Sequence, residues 1–102
     1  MREAPILRHH PAFHPDGTNV NFASIDGGAI RVRTFERGVE GETLACGTGA
    51  AAVAYAAIAV HCCESPVQVI FPGGNIEIHS GSGALRMIGK AQLVFRGEFP
   101  LF

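Results

Sequence analysis

The residues of this sequence that could do chemistry gather in Thr43-Leu44-Ala45-Cys46-Gly47-Thr48-Gly49, a thiol set in a Gly-rich turn. The turn runs straight into residues 50–60, where seven alanines supply helix propensity and Val53, Ile58 and Val60 add bulk. That order predicts a helix whose first backbone N–H groups, at Gly47, Thr48 and Gly49, are left free and point out of its N-terminus. Such a terminus carries partial positive charge and suits a carboxylate or phosphate. The same donors would stabilise a thiolate. Two readings fit this local pattern equally: chemistry on an anionic substrate, and a structural cysteine ahead of a core helix.

Other residues with chemical potential lie on either side. Glu36-Arg37-Gly38 places a carboxylate and a guanidinium side by side a few residues before the thiol loop. Arg grips a carboxylate bidentately and Glu pairs with an ammonium, so the pair fits charged-ligand recognition; a surface ion pair fits equally well. Asn19 and Asn21 sit in a short polar–apolar alternation, Thr18-Asn19-Val20-Asn21-Phe22. Asparagine is depleted in strands, and these amides are read first as holding a loop together, second as ligand contacts. His9, His10 and His14 invite a metal reading, but no cysteine or carboxylate nearby has ligand spacing, so solvated or capping histidines are expected and no metal. Cys62 and Cys63, beyond the far end of the helix, read as inert thiols.

These groups must be positioned by a modest scaffold. At 102 residues, 47% hydrophobic and 17% charged, the chain can build one compact core. A net charge of −1 gives no support for a nucleic-acid partner. No apolar run is long enough to span a bilayer, and Met1-Arg2-Glu3-Ala4-Pro5 lacks the apolar core of a signal peptide. Three cysteines, two of them adjacent, make a disulfide framework a poor fit and a reducing, cytoplasmic location the expectation.

Turn signals at Asp16-Gly17 and Asp26-Gly27-Gly28 bracket a strand and open a hairpin. In its second strand Ile30, Val32 and Thr34 share one face, and Arg31, Arg33 and Phe35 the other. After the helix, residues 67–71, 75–79, 84–88 and 90–95 read as strands separated by Gly-rich turns. The expected fold is α+β of the α/β-roll type, a curled antiparallel sheet wrapped around one central Ala-rich helix at about residues 47–60.

Three of these segments, Thr18 to Phe22, Phe35-Glu36-Arg37-Gly38 and Glu42 to Ala50, resemble the second half of diaminopimelate epimerase in order and near spacing. The segment from Gly89 to Phe99 resembles that family's final strand, so the likeness runs over nearly the whole chain. It implies a cofactor-independent isomerase that converts LL-2,6-diaminopimelate to the meso form in lysine and peptidoglycan precursor biosynthesis. Family members have two pseudo-symmetric domains with one catalytic cysteine each, facing opposite sides of the substrate. By the resemblance, Cys46 is the second-domain catalytic cysteine, and Gly47 and Thr48 donate N–H groups to the α-carboxylate. Asn19, Glu36 and Arg37 match substrate-binding positions, with Glu36 also beside the thiol.

The resemblance departs in two places. Gly38-Val39-Glu40-Gly41-Glu42 is one residue longer than a common form of that loop. The first domain, its cysteine and the Gly-Asn-Pro-His-like segment that opens the second have no counterpart here. Residues 1–102 are therefore expected to be a partial second domain, inactive alone, whose residues 90–99 pair with a missing N-terminal domain or complementing chain. Unpaired edges would favour self-association, a homodimer included. The competing functions are a carboxylate- or amino-acid-binding module without turnover and, less well supported, a cysteine hydrolase, for which no Cys–His arrangement is visible.

Overall fold

The computed structural model describes residues 1–101. A short helix α1 (Ala4–Arg8) and a single 3-10 turn (Pro11–Phe13) lead into strands β1 (Val20–Asp26), β2 (Ala29–Glu36) and β3 (Gly41–Thr43). Helix α2 (Gly47–Ala59) follows, then β4 (Val67–Phe71), β5 (Gly74–Gly81) and β6 (Ala84–Ile88). The strands form one sheet in the order β1-β2-β4-β5-β6, with β3 paired to β2. The fold is α+β, with one main Ala-rich helix against the sheet.

The expectation of a wholly antiparallel sheet is corrected at one pairing. β2 and β4 run parallel, with Ile30 opposite Val69, while the other four pairings are antiparallel. The reason is the connection: the chain leaves β2, passes through β3 and α2, and returns beside β2 in the same direction. Parallel neighbours need such a crossover, and α2 is its helix. One edge of β2 is thereby shared, residues 29–31 taken by β4 and residues 34–36 by β3.

The hairpin from β1 to β2 turns on Gly27 (φ 57°) and Gly28 (φ 91°), with Asp26 opposite Ala29. Two consecutive residues at positive φ make the tight turn whose twist matches the flanking strands. Along β2 the predicted alternation holds: Ile30, Val32 and Thr34 are buried and Arg31 and Arg33 exposed. Ala50, Ala54 and Ala57 recur at helical spacing and face Ile30, Val32, Val67, Val69 and Ile78. Side chains this small let α2 lie close to the sheet. The sheet covers one side of the helix only, leaving Ala52, Tyr55 and Ala56 exposed on the other.

The first fifteen residues, for which the sequence predicts no element, contain α1, which accommodates Pro5 in its first turn, where a missing N–H costs no hydrogen bond. Residues 90–95, expected as a strand, lie outside the sheet with Leu93, Val94 and Phe95 exposed. A strand exists by pairing, and among the described residues β6 is an edge with nothing beyond it.

Helix α1 is latched to the β2–β3 loop. The Arg8 guanidinium, with a side chain only 10% exposed, donates from Nε and Nη2 to Glu40 Oε1 at 3.1 and 2.7 Å, and from Nη1 to the Asp16 carbonyl. The Gly38 N–H reaches the same Glu40 oxygen at 3.3 Å, and His9 lies 3.6 Å from Oε2. Partial desolvation pushes the Glu40 carboxyl up. The Gly38 N–H and the Arg8 guanidinium outweigh it and hold Glu40 below the ordinary carboxylate value. A depressed folded pKa gives stability that is present at neutral pH and lost as pH falls through that value. Glu40→Gln, which mimics the protonated carboxyl, should therefore melt below the parent chain at pH 7, and the gap should narrow as pH falls below the ordinary glutamate value of about 4.3. Melting curves of both proteins from pH 7 to 3 check this; a gap that stays constant contradicts it.

Candidate functional site

Cys46 occupies the N-cap of α2, in extended backbone (φ −146°, ψ 114°). Its sulfur stands where a serine or aspartate oxygen usually caps a helix, and accepts the Gly49 N–H at 3.4 Å. Thr48 Oγ1 lies 3.5 Å from the sulfur and Asn19 Nδ2 at 4.0 Å. The thiol is buried at 7% exposure yet ringed by polar hydrogen. The first intrahelical bond runs from the Ala50 N–H to the Cys46 carbonyl. Gly47 and Thr48 thus keep N–H groups with no partner among the described residues, as the first turn of a helix must. Of the three N–H groups expected to be free, those of Gly47 and Thr48 are, while that of Gly49 is taken by the thiol sulfur.

The loop that carries the thiol is fixed from three sides. The Gly73 N–H donates to the Leu44 carbonyl at 2.7 Å, and a Cβ on Gly73 would come within 2.7 Å of Leu44 Cβ. A side chain at Gly47 would meet Met87 of β6 at 3.2 Å. Asn21 Oδ1 stands 2.6 Å from the place a Cβ of Gly49 would occupy. The Gly47 and Gly49 positions are thus shaped by close neighbours as well as by backbone freedom.

Asn19 joins two of the expected site residues. Its Oδ1 accepts the Arg37 N–H at 2.8 Å while its Nδ2 points to the Cys46 sulfur. The Glu36 carboxylate accepts the Thr43 hydroxyl on Oε2 at 2.8 Å. Asn21 Oδ1 accepts the Thr34 hydroxyl at 2.7 Å, the structural role read first for these amides. Glu36 and Asn19 are half-buried, and the Arg37 side chain is exposed. Thr43 was not singled out from sequence; a three-residue strand leaves no alternation long enough to assign its face.

Other charges face away. Arg33 and Glu42 pair bidentately at 2.7 and 2.6 Å on the outer side of the sheet, staples between β2 and β3. The Arg33 hydrogen bonds hold Glu42 below its ordinary pKa, and Glu42 in turn raises that of Arg33. Cys62 is exposed and Cys63 packs in the core, both past the C-terminal end of α2. Thirteen helical residues put them about 20 Å from Cys46. His10 caps the 3-10 turn through Nδ1 and the Ala12 N–H, and His9 faces Glu40.

The contact at Gly49 generates a prediction with opposed terms. Alanine would gain about 1 kcal/mol of helix propensity over glycine. The added methyl would meet Asn21 Oδ1, which Thr34 holds in place, and the Cys46 sulfur at 3.3 Å. Overpacking of this kind costs about 1–3 kcal/mol, so Gly49→Ala should lower stability in urea unfolding. A rise of about 1 kcal/mol would show that the contact is slack.

Comparison with known proteins bears on this geometry. Residues 2–94 match the family model described as diaminopimelate epimerase. A diaminopimelate epimerase of Archaeoglobus fulgidus is 52% identical over 95 residues, which are 93% of this chain and 34% of that protein. Those of Cupriavidus taiwanensis and Methanocella arvoryzae are 45% and 43% identical over 99% of the chain, covering 35% and 36% of their own lengths. The chain spans about a third of the length of the curated relatives it matches. With a match over nearly all its residues and a cysteine-capped helix ringed by the polar groups of the motifs, the chain belongs to the diaminopimelate epimerase family.

Proposed function

We propose that this chain supplies one half of the active site of a cofactor-independent diaminopimelate epimerase, which converts LL-2,6-diaminopimelate to the meso form. The observation that carries the reading is the Cys46 sulfur at the N-terminus of α2, next to the unpartnered N–H groups of Gly47 and Thr48. A substrate α-carboxylate bound to those N–H groups would bring its α-carbon toward the sulfur. As thiolate, Cys46 takes the α-proton and becomes a thiol; as thiol, in the opposite direction of turnover, it delivers one. Charge that leaves the α-carbon spreads onto the carboxylate, where donors fixed in advance stabilise it most. Asn19, with its Nδ2 at 4.0 Å from the sulfur, Glu36 and Arg37 then bind the amine and distal end of the substrate. In this reading Glu36 also acts on the proton of the thiol.

Inversion needs a second acid on the opposite face of the α-carbon. Cys62 and Cys63 are at the wrong end of α2, so that group comes from a first domain, on the same polypeptide or on a complementing chain. The exposed apolar residues of 90–99 suit pairing with that domain, and residues 1–102 are then a partial second domain. The reaction belongs to lysine and peptidoglycan precursor biosynthesis, in the cytoplasm.

A second reading, a carboxylate-binding module without turnover, is favoured by one feature: the Gly47 and Thr48 N–H groups are in place without any partner domain. Calorimetry of the isolated chain with diaminopimelate gives binding heat under that reading and none if the pocket needs both halves. For the leading reading, the chain joined with its first domain should epimerise LL-diaminopimelate, and Cys46→Ser should slow it by about 10²–10⁴-fold. Full activity in Cys46→Ser would remove Cys46 from the reaction.

A further inference from the structure

We infer that Thr43 is the positioning residue for Glu36, fixing its carboxylate through one hydroxyl; this rests on the epimerase reading above. Glu36 is the last residue of β2 and carries a side chain with three free rotors. Its one side-chain partner among the described residues is Thr43, whose Oγ1 donates to Oε2 at 2.8 Å. A hydroxyl has a single hydrogen to give. Given to Oε2, it fixes one carboxylate oxygen and leaves Oε1 free for an ammonium or the thiol.

The placement of Thr43 ties that carboxylate to the catalytic loop. Thr43 ends β3, three residues before Cys46, and pairs with Thr34 of β2, two residues before Glu36. Residues 34 and 36 share the face of β2 that looks toward α2, and Thr43 shares it through the pairing. The Glu42–Arg33 pair, on the opposite face, secures β3 to β2 at the neighbouring register. A shift of β3 would therefore move the thiol and the grip on Glu36 together. The geometry is that of a short strand that grips a carboxylate three residues before the thiol.

The test uses the full two-domain enzyme. Thr43→Val keeps the shape and removes the donor, while Thr43→Ser keeps the donor. A hydrogen bond to a charged group corresponds to about 10–100-fold. Thr43→Val should lower kcat/KM for diaminopimelate by that factor, and Thr43→Ser should remain within about threefold of the parent. In a Glu36→Gln background the further change to valine should have little effect, because the bond it breaks no longer serves a carboxylate. Parental kcat/KM in Thr43→Val overturns the inference. So does a serine variant as impaired as the valine one, or effects of Glu36→Gln and Thr43→Val that multiply. A parent enzyme without epimerase activity overturns the epimerase reading itself, which separates the two failures.

Discussion

One substitution of atoms at the start of α2 governs the rest of the molecule: a sulfur caps the helix where an oxygen usually does. Capping requires that the thiol be within reach of the Gly49 N–H, that the backbone of Cys46 be extended, and that nothing larger than hydrogen stand at Gly49. Each requirement is met by a different element. β1 provides Asn21, the β4–β5 turn provides Gly73 against Leu44, and β6 provides Met87 against Gly47. The helix terminus is therefore a built feature and not a consequence of composition alone.

The sheet face under α2 changes character along β2. Ile30 and Val32 lie under the middle of the helix, with Ala54 and Ala57 pressed against the apolar layer. Two residues further on the same face, Thr34 and Glu36 begin a polar patch that Asn19, Asn21 and Thr43 complete. A buried polar side chain is costly unless bonded, and no buried side-chain nitrogen or oxygen of the described residues lacks a partner. The apolar half holds the helix down and the bonded polar half orients its first turn. Fold and candidate site are thus two ends of one interface. At the outer end of this patch the Arg8–Glu40 latch ties α1 to the loop that carries Arg37.

Much of this was legible in the sequence because it is local. The alternation of Ile30, Val32 and Thr34, the paired glycines after Asp26, and the thiol before an alanine run each follow from neighbouring residues. Pairings set by distant segments were not legible. The parallel contact of β2 with β4 depends on where a crossover lands, and the grip of Thr43 on Glu36 depends on a three-residue strand finding its register. The helix at Ala4–Arg8 was hidden by Pro5, which breaks helices inside but not at their start. The strand expected at 90–95 failed for the converse reason: its residues have the pattern, but a pattern forms a strand only against a partner.

The central claim, that an anion site and the Cys46 thiol coincide, is tested most directly by comparing two alkylating agents of similar size. Iodoacetate carries a carboxylate and iodoacetamide does not. Cys46 is buried and Cys62 exposed, so accessibility alone favours Cys62 with both reagents. The account predicts that the iodoacetate-to-iodoacetamide rate ratio, read by peptide mass spectrometry, is at least severalfold higher at Cys46 than at Cys62. Equal ratios at the two cysteines would contradict it.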